Sequence, residues 1–463
     1  MVKLFNVYFP KRTIAVLLVE VFLVCIAFLS VTFLHFGLNA PVVLSAQSGY
    51  FKLGFLAAVC LFFLYCSDLY APSSLRNSPA VASRFIKGLG ITCLVVAPIY
   101  YVVPSLQLFH GFAIMGISLA AIFLVSHRQV FFAVNKATEY SESVVILGEG
   151  RMAANVARVI QHRPELGLRL LGYLGSDWYS SFDVKQPMHL GGVEDIASLA
   201  SQNHIGRVIV AMGDQRKKLP LDDLLALKTS GVIIQDATDF YEVAMGKLPV
   251  ETLRLSWLIF SPGFKVSTAT LIYKRGVSLL LASIGLLLLL PLIALIALAI
   301  GIDSPGPVIF RQKRIGLGGQ AFTLFKFRTM HVDADRGGYA RPVEHNDQRI
   351  TKVGRVLRRL RLDEIPQLYN ILLGDMYFVG PRPFVPEQEL ECASQIPLYA
   401  QRWTVRPGAT GWAQVQRGYC ASLQDNIDKL SYDLFYIKNM SFGFDLLVLF
   451  KTIKIVLSAQ GGR

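Results

Sequence analysis

The chain has 463 residues, of which 53% are hydrophobic and only 17% are charged, and its mean hydropathy is +0.46. Soluble domains average about 45–50% apolar and about 25% charged residues, so this composition excludes a disordered, collagenous or ordinary cytosolic protein. It indicates a membrane protein. The formal net charge of +14 is typical of chains that meet anionic lipid headgroups, phosphorylated substrates or nucleic acid.

Four apolar segments in the first 128 residues predict a four-helix transmembrane unit over residues 1–128. Lys and Arg lie before the first segment, between the second and third, and after the fourth. The positive-inside rule therefore places both ends of this unit in the cytoplasm. The segments are Thr13–Phe36, Leu53–Tyr65, Gly88–Val103 and Phe112–Val125.

Residues 129–270 have the composition of a soluble α/β protein and predict a Rossmann-like cytoplasmic domain. Strand-like runs alternate there with helical stretches, as they do in a parallel sheet. The runs are Ser143–Leu147, Leu168–Leu174, Arg207–Ala211 and Val232–Gln235.

The first of these strands is followed by Gly148, Gly150 and Ala153, at the spacing of a dinucleotide-binding fingerprint. Such sites need an acidic residue about 20 positions further on to bind the ribose. The nearest candidate, Asp177, lies too far along the chain. We therefore expect a structural turn with close helix packing, and no obligatory nicotinamide, although cofactor binding is the alternative.

Val277–Gly301 is the most apolar run of the chain, with Pro291 near its centre. It is long enough to span a bilayer. However, Lys and Arg are frequent on both flanks, which favours the cytoplasm for both ends. Because proline removes a helical hydrogen bond and bends the helix, the pattern favours a re-entrant helical hairpin. A plain fifth span is the alternative.

Adjacent carboxylates at Asp363 and Glu364 follow Arg358, Arg359 and Arg361. One carboxylate could act as a nucleophile while the other holds Mg²⁺ against a pyrophosphate, with the arginines binding its oxygens. The alternative is a pair of helix-capping acids that form ion pairs with exposed arginines.

A short helix is predicted directly after this acidic pair. Pro366 fits its first turn, the helix should run to about Leu373, and Gly374 should end it. The two carboxylates are then expected at a helix N-terminus, where free N–H groups favour phosphate.

Several independent motifs between about residues 271 and 460 closely resemble the bacterial sugar transferase family, the monotopic polyprenyl-phosphate phosphoglycosyl transferases. The four-span unit and Rossmann-like domain resemble its long polyisoprenyl-phosphate hexose-1-phosphate transferase branch. Leu4–Arg12 and Ser256–Phe260 resemble the exosortase-associated (PEP-CTERM) exopolysaccharide subgroup. The motifs are Lys274-Arg275, the Pro-interrupted run, Lys326-Phe-Arg-Thr-Met330, Asp363-Glu-Ile-Pro-Gln367, Gly380-Pro-Arg-Pro383 and Arg406-Pro-Gly-Ala-Thr-Gly-Trp412.

This resemblance implies transfer of a sugar 1-phosphate from a UDP-sugar to polyprenyl (undecaprenyl) phosphate, with release of UMP, to initiate exopolysaccharide synthesis. It implies that Asp363 is the nucleophile of a covalent phosphosugar intermediate and that Glu364 binds a Mg²⁺ cofactor. The residues expected near the substrate phosphates are Arg358, Arg382, Lys326 and Arg328.

The resemblance also implies that residues 271–463 form the re-entrant hairpin and a mainly helical cytoplasmic catalytic domain. The expected location is the bacterial inner membrane, in a multi-pass protein that could form a homodimer. No nucleic-acid partner is expected, because no recognised binding motif accompanies the arginines. Where many members carry Asp shortly after the Lys-Arg pair, this chain has Ser278, so an ion pair expected there is in doubt.

Two other functions compete with this one. A membrane-anchored, NAD-dependent sugar-nucleotide dehydratase or epimerase also combines four spans with a Rossmann domain, but its usual Tyr-x-x-x-Lys pair is missing from residues 129–270. A non-catalytic scaffold for polysaccharide assembly would not need the acidic pair or the Gly380-Pro-Arg-Pro383 motif.

Overall fold

The computed structural model describes residues 1–46, 48–71, 74, 79–136, 141–176, 178, 186–202, 204–212, 219–253, 255–332, 347–417 and 422–457. The chain divides into two compact units, Met1–Val2 with Phe9–Ala237 and Lys3–Tyr8 with Thr238–Arg463. The three-part division predicted from the sequence, with boundaries after residues 128 and 270, stays a prediction.

Long apolar helices dominate the N-terminal part of the chain, where four of them cover the four predicted segments. A short helix in the first connection, α2, was not predicted. The elements are β1 (Val2–Leu4), β2 (Val7–Phe9), α1 (Lys11–Phe36), α2 (Ala40–Ala46), α3 (Gly49–Cys66), α4 (Pro79–Val102) and α5 (Phe112–Lys136).

Five helical segments of the described residues are long and apolar enough to cross a membrane: α1 with α2, α3, α4, α5 and the later Thr268–Asp303. The chain is therefore a membrane protein with several apolar helices at its N-terminal end. That α1 to α5 form a four-span transmembrane unit stays a prediction.

The one acidic residue inside the first apolar segment, Glu20, is fully buried. Arg128, near the end of α5, donates from Nε to Glu20 Oε1 at 2.5 Å. A carboxylate buried without a partner costs several kcal/mol, so this ion pair explains how α1 accommodates a charge. Nearby, Gly116 of α5 lies under Phe28 of α1, whose ring fills the space that a Cβ would need.

The α/β part of the first unit contains a four-stranded sheet in the order β4-β3-β5-β6, with every neighbouring pair parallel. This arrangement confirms the parallel sheet predicted from the alternating pattern. Its elements are β3 (Glu142–Leu147), α6 (Gly150–His162), β4 (Leu168–Leu174), α7 (Ile196–Gln202), β5 (Arg207–Val210), α8 (Leu221–Thr229) and β6 (Ile233–Asp236).

The glycines after β3 form a tight turn. Gly148 has φ 120° and Gly150 has φ 86°, conformations that favour glycine. A Cβ on Gly148 would lie 2.8 Å from the backbone of Ala211, and Ala153 is fully buried. These contacts fit the structural interpretation, and Asp177 lies outside the described residues.

The second unit is mainly helical and, in its described part, includes most of the two-stranded β1–β2 sheet, an antiparallel β7–β8 pair and a parallel β9–β10 pair. Its elements are α9 (Ala237–Met245), α10 (Leu255–Phe260), α11 (Thr268–Asp303), β7 (Ile309–Ile315), β8 (Ala321–Phe327), α12 (Lys352–Arg359), α13 (Gln367–Leu373), β9 (Tyr377–Val379), α14 (Pro386–Gln395), β10 (Gly408–Thr410), α15 (Trp412–Gln416), α16 (Leu423–Lys438) and α17 (Phe442–Leu457).

The predicted hairpin region lies in α11, which is continuous through Pro291. Both halves of this helix pack against the same unit. Ala282 shares an apolar cluster with Leu324 and Ile371, whereas Ile296 shares another with Phe327. The large side chains of α11 are otherwise mostly exposed, as a helix in lipid requires. The re-entrant topology stays a prediction.

Candidate active site

The acidic pair lies in a tight turn between two short helices. Asp363 and Glu364 belong to a 3₁₀ turn, Leu362–Glu364, that follows α12 and precedes α13. Arg361, which opens this turn, has φ 56°, a left-handed conformation that non-glycine residues rarely adopt and that is common at functional sites. We call Arg361–Glu364 the acidic turn.

The predicted helix after the acidic turn is confirmed, because α13 begins directly after Pro366 and ends before Gly374, whose φ is 94°. The acidic pair therefore lies just before the N-terminus of α13, although in a separate 3₁₀ turn and not in its first helical turn.

Glu364 is held between two cations. Its Oε1 accepts hydrogen bonds from Lys326 Nζ at 3.1 Å and from Arg382 Nη2 at 2.8 Å. Burial acts to raise the pKa of Glu364, but the charges of Arg382 and Lys326 outweigh it and hold the pKa well below its usual range. Glu364 is thus ionised at any physiological pH.

Asp363 has the opposite character. Burial raises the pKa of this carboxyl; Lys326 and Arg358 act to lower it, whereas the charge of Glu364 raises it further, and the net change is upward. Arg358 also donates from Nε to Thr329 Oγ1 at 2.8 Å, which orients its guanidinium. The acidic turn therefore combines one strongly ionised carboxylate with one that is less stabilised and more basic.

Three of the four predicted phosphate-binding residues thus lie around the acidic pair, and the fourth does not. Arg328 is buried and donates to Pro305 O at 2.9 Å and to Ser304 O at 2.6 Å, which fixes the segment after α11. Its predicted role in phosphate binding stays a prediction without support from these contacts. A small cleft beside the cluster is lined by Lys326, Arg382, Arg314, Gln367, Leu324, Pro383 and Gly408.

Asn370 connects α13 to the strand that carries Lys326. It is fully buried, accepts from Phe325 N at 3.0 Å and donates to Thr323 O at 2.7 Å. One side chain thereby pairs with the β8 backbone in both directions. This fixes the position of Lys326 relative to the acidic turn.

Two of the sequence motifs meet to hold the loop that carries Arg382. Gly380 N donates to Thr410 O at 2.9 Å, and Gly408 N donates to Pro381 O at 3.0 Å. A Cβ on Gly380 would lie 2.7 Å from Arg406 O, so only glycine permits this approach. The close contact explains why both motifs need glycine.

A buried network from α11 supports the same loop. Lys274 Nζ donates to Asp445 Oδ2 at 2.7 Å and to Tyr436 Oη at 2.6 Å. It also donates at 3.1 Å to Val379 O, the carbonyl of the residue directly before Gly380. Asp445 of α17 thus supplies the carboxylate that pairs with Lys274 in this chain.

A second network lies behind Arg382. Arg402 Nη2 donates to Arg382 O at 2.8 Å, while its other nitrogens donate to Glu389 Oε1 at 3.1 Å and to Asp433 Oδ2 at 2.9 Å. Glu389 also accepts from Phe384 N at 3.1 Å. These buried groups fix the backbone on both sides of Arg382.

Sequence reasoning missed Asn370, Asp445 and the Arg402 network as parts of the site. Asn370 lies next to a recognised motif, and a search of that helix for buried amides could have found it. Asp433 and Asp445 stand alone in helical segments far along the chain, and no local pattern marks them as partners of Arg402 and Lys274.

No group of three or more His, Cys, Asp or Glu side chains suited to a metal occurs in the described part of the chain. Mg²⁺, however, often uses only one or two carboxylates together with substrate phosphates. Asp363 and Glu364 are consecutive carboxylates of one turn, and the strongly ionised Glu364 fits this kind of site.

Comparison with known proteins gives several matches. The family model described as bacterial sugar transferase matches residues 269–459. A UDP-N-acetylgalactosamine-undecaprenyl-phosphate N-acetylgalactosaminephosphotransferase of Aeromonas hydrophila is 44% identical over 194 residues, which are 41% of this chain and 45% of the relative.

Two further relatives match over more of the chain. A UDP-glucose:undecaprenyl-phosphate glucose-1-phosphate transferase of Xanthomonas campestris pv. campestris is 33% identical over 332 residues, 69% of this chain and 67% of the relative. An undecaprenyl-phosphate glucose phosphotransferase of Komagataeibacter xylinus is 35% identical over 327 residues, 68% of this chain and 59% of the relative. The chain thus spans 45% to 67% of the length of these three relatives. With this coverage and the site described above, the chain belongs to the bacterial sugar transferase family, in its long hexose-phosphate transferase branch.

Proposed function

We propose that this protein transfers a sugar 1-phosphate from a UDP-sugar to polyprenyl (undecaprenyl) phosphate, releases UMP and so initiates exopolysaccharide synthesis. The observation that carries the proposal is the acidic turn, where Asp363 and Glu364 lie among Lys326, Arg358 and Arg382. The names of the relatives support it, since they specify UDP-glucose or UDP-N-acetylgalactosamine as donor and undecaprenyl phosphate as acceptor.

In the first step, a carboxylate oxygen of Asp363 forms a bond to the β-phosphorus of the UDP-sugar. The bond from this phosphorus to the bridging oxygen breaks, and UMP leaves with the electron pair. Asp363 suits this role because its raised pKa makes it the more basic carboxylate of the pair. The product is a phosphosugar bound covalently to the enzyme.

The cations of the site offset the repulsion between an anionic nucleophile and a diphosphate. Arg382 and Lys326, which donate to Glu364, are placed to donate to phosphate oxygens beside it. A magnesium ion would be held by Glu364 and the diphosphate oxygens, and when bound it neutralises phosphate charge.

In the second step, a phosphate oxygen of the polyprenyl phosphate attacks the same phosphorus. The bond to Asp363 breaks, the free carboxylate is restored, and polyprenyl-diphosphate-sugar is released. Because this acceptor is a lipid, the site must lie near the membrane surface. Both halves of α11 pack against the unit that contains the site, so this apolar helix would hold the site there.

We propose that α11 is re-entrant, bent near Pro291, in the bacterial inner membrane with the catalytic domain on the cytoplasmic face. A straight helix would place Arg275 and Asp303 about 42 Å apart. Yet Arg275 contacts α13 and Asp303 contacts α12, the two short helices on either side of the acidic turn. The four-span unit, the exosortase-associated subgroup and a homodimer remain predictions from the sequence.

Cysteine labelling tests this topology. We expect single cysteines at Tyr273 and Gln312, on the two flanks of the apolar run Val277–Gly301, to react only with reagents that reach the cytoplasm, because basic residues surround both positions. A cysteine in the Gly37–Gly49 connection, expected on the periplasmic side, is the control. Labelling of either flank by an impermeant reagent in intact cells would show that α11 spans the bilayer.

The raised pKa of Asp363 predicts the acid side of the pH–rate profile. Only the ionised carboxylate can attack, so the rate of adduct formation should fall as pH falls through this pKa, above the value of about 3.9 of an ordinary aspartate. Glu364→Gln removes a negative charge that raises the pKa of Asp363, so the fall should move to lower pH. Single-turnover rates between about pH 4 and pH 8 test this. A profile unchanged by Glu364→Gln would contradict the coupling.

The proposed function is tested by incubating the purified protein with a panel of UDP-sugars and polyprenyl phosphate and analysing the products. We expect UMP and a lipid-linked sugar diphosphate, with one UDP-sugar preferred. Loss of water from the sugar would instead indicate the dehydratase alternative, and no reaction with any donor would favour the scaffold.

A further inference from the structure

The acidic turn is held from both sides by the two ends of one helix. It lies between α12 and α13, two short helices of the second unit. The outer end of each is bound by a charged side chain of α11, the helix that we propose enters the membrane. Short helices depend on such contacts, because they form few internal hydrogen bonds and leave terminal groups unsatisfied.

At the C-terminal end of α13 the contact comes from Arg275. Its Nη1 donates to Ile371 O at 2.7 Å and its Nη2 donates to Leu372 O at 2.8 Å. These carbonyls belong to the last turn of α13, where Ile371 O also accepts from Gly374 N at 3.2 Å, and a positive charge there complements the negative end of the helix dipole. The guanidinium lies close to the backbone at Gly374, where a Cβ would be 3.4 Å from it, an ordinary van der Waals distance.

At the N-terminal end of α12 the contact comes from Asp303, the last residue of α11. Its Oδ2 accepts from Val353 N at 2.9 Å. Free N–H groups begin this helix, and a negative charge complements its positive end. Arg328 binds the next carbonyl, Ser304 O, at 2.6 Å, so the end of α11 is also joined to β8, which carries Lys326.

We propose that Arg275 and Asp303 are positioning residues through which the membrane helix α11 sets the geometry of the acidic turn. Each neutralises the dipole end farthest from the turn, so α12 and α13 are held in place together with Arg358 and Asp363. The rate of the first chemical step then depends on the position of α11 in the bilayer. This inference rests on the proposed function for its effect on rate, but its structural part stands on the contacts alone.

Hydrogen exchange of the full-length protein in lipid nanodiscs tests the structural part. Arg275→Ala should raise amide exchange in residues 367–374 by about 10-fold, because α13 loses its C-terminal partner. Arg275→Lys keeps the charge and should recover part of the protection. Arg355→Ala, which removes an exposed cation from α12, is the matched control and should leave exchange in this segment unchanged.

Asp303 offers a finer comparison. Asp303→Asn keeps an oxygen that can accept from Val353 N, so it should retain most of the protection of residues 352–359. Asp303→Ala removes the acceptor and should lose it. Equal exchange in the wild-type protein, Arg275→Ala and Asp303→Ala would overturn the proposal. So would a uniform rise that extends to α16, because that pattern indicates general unfolding.

The effect on rate is measured in the same samples as adduct formation with a UDP-sugar in the absence of lipid acceptor. Both alanine variants should slow the adduct about 10²-fold, the loss typical of a displaced reactive group, with little change in UMP affinity. A large loss of UMP affinity with an unchanged adduct rate would contradict positioning. If the wild-type protein forms no adduct, the proposed function fails, and the exchange data still decide whether α11 holds the turn.

Discussion

Asp363→Asn is expected to nearly abolish UMP release while leaving the protein folded. The amide keeps the shape of the side chain but removes the anionic oxygen that attacks phosphorus, and no neighbouring group can replace a covalent nucleophile. Glu364 cannot take over, because its carboxylate is bound by Lys326 and Arg382 and its pKa is held low. The measurement is UMP release with a UDP-sugar and polyprenyl phosphate.

The decisive form of this experiment omits the lipid acceptor. Wild-type enzyme should then accumulate a phosphosugar adduct, which intact-mass spectrometry detects and peptide mapping assigns to Asp363. Glu387→Gln is a control, because this acid is exposed in the first turn of α14, outside the acidic turn. An adduct on another residue, or full turnover by Asp363→Asn, would refute the assignment of the nucleophile.

Arg402→Ala is expected to produce the largest loss of stability among the ion-pair variants. Arg402 is 4% exposed and binds Glu389 and Asp433, which are 1% and 2% exposed. Removing the cation leaves two carboxylates buried without it, and breaking a buried pair in this way costs about 3–5 kcal/mol. The free energy of unfolding of the second unit should fall by this amount, as measured by thermal or denaturant unfolding of the protein in detergent.

Arg417→Ala provides the matched control. Arg417 also binds an aspartate, Asp428, but its side chain is 46% exposed, and surface ion pairs contribute about 0–1 kcal/mol. We therefore expect Arg417→Ala to change the free energy of unfolding only slightly. Because Arg402 also donates to Arg382 O, its alanine variant should lose activity even at temperatures where it stays folded. Equal unfolding curves for the two variants would show that the buried network adds no net stability.

Local features were readable from the sequence because their causes are local. Apolar runs predicted the long helices α1, α3, α4, α5 and α11, since burial in lipid needs a continuous apolar stretch. Alternating strands and helices predicted the parallel sheet. Proline and glycine at positions 366 and 374 predicted the bounds of α13, because each restricts the backbone at its own position.

The chemistry-bearing residues were also recognisable, because the motifs that carry them are contiguous. The acidic pair and Arg382 were identified from the sequence, and the structure places Arg382 and Lys326 at hydrogen-bond distance from Glu364. The sequence did not distinguish Arg328 from these phosphate-binding candidates, because it lies only two positions from Lys326 in the same motif. The direction of the Arg328 side chain at the end of β8 is set by the segment packed against it, because Arg328 donates to the carbonyls of residues 304 and 305.

By itself the sequence determined the membrane character of this protein, its family and the residues proposed to react, because composition, hydrophobic periodicity and short motifs are properties of neighbouring residues. Only the tertiary structure decided which charges support those residues: Asp445 for Lys274, Glu389 and Asp433 for Arg402, and the ends of α11 for the acidic turn. Such pairs join residues that are far apart in the chain. Their geometry is set by how whole helices pack, and no local pattern encodes it.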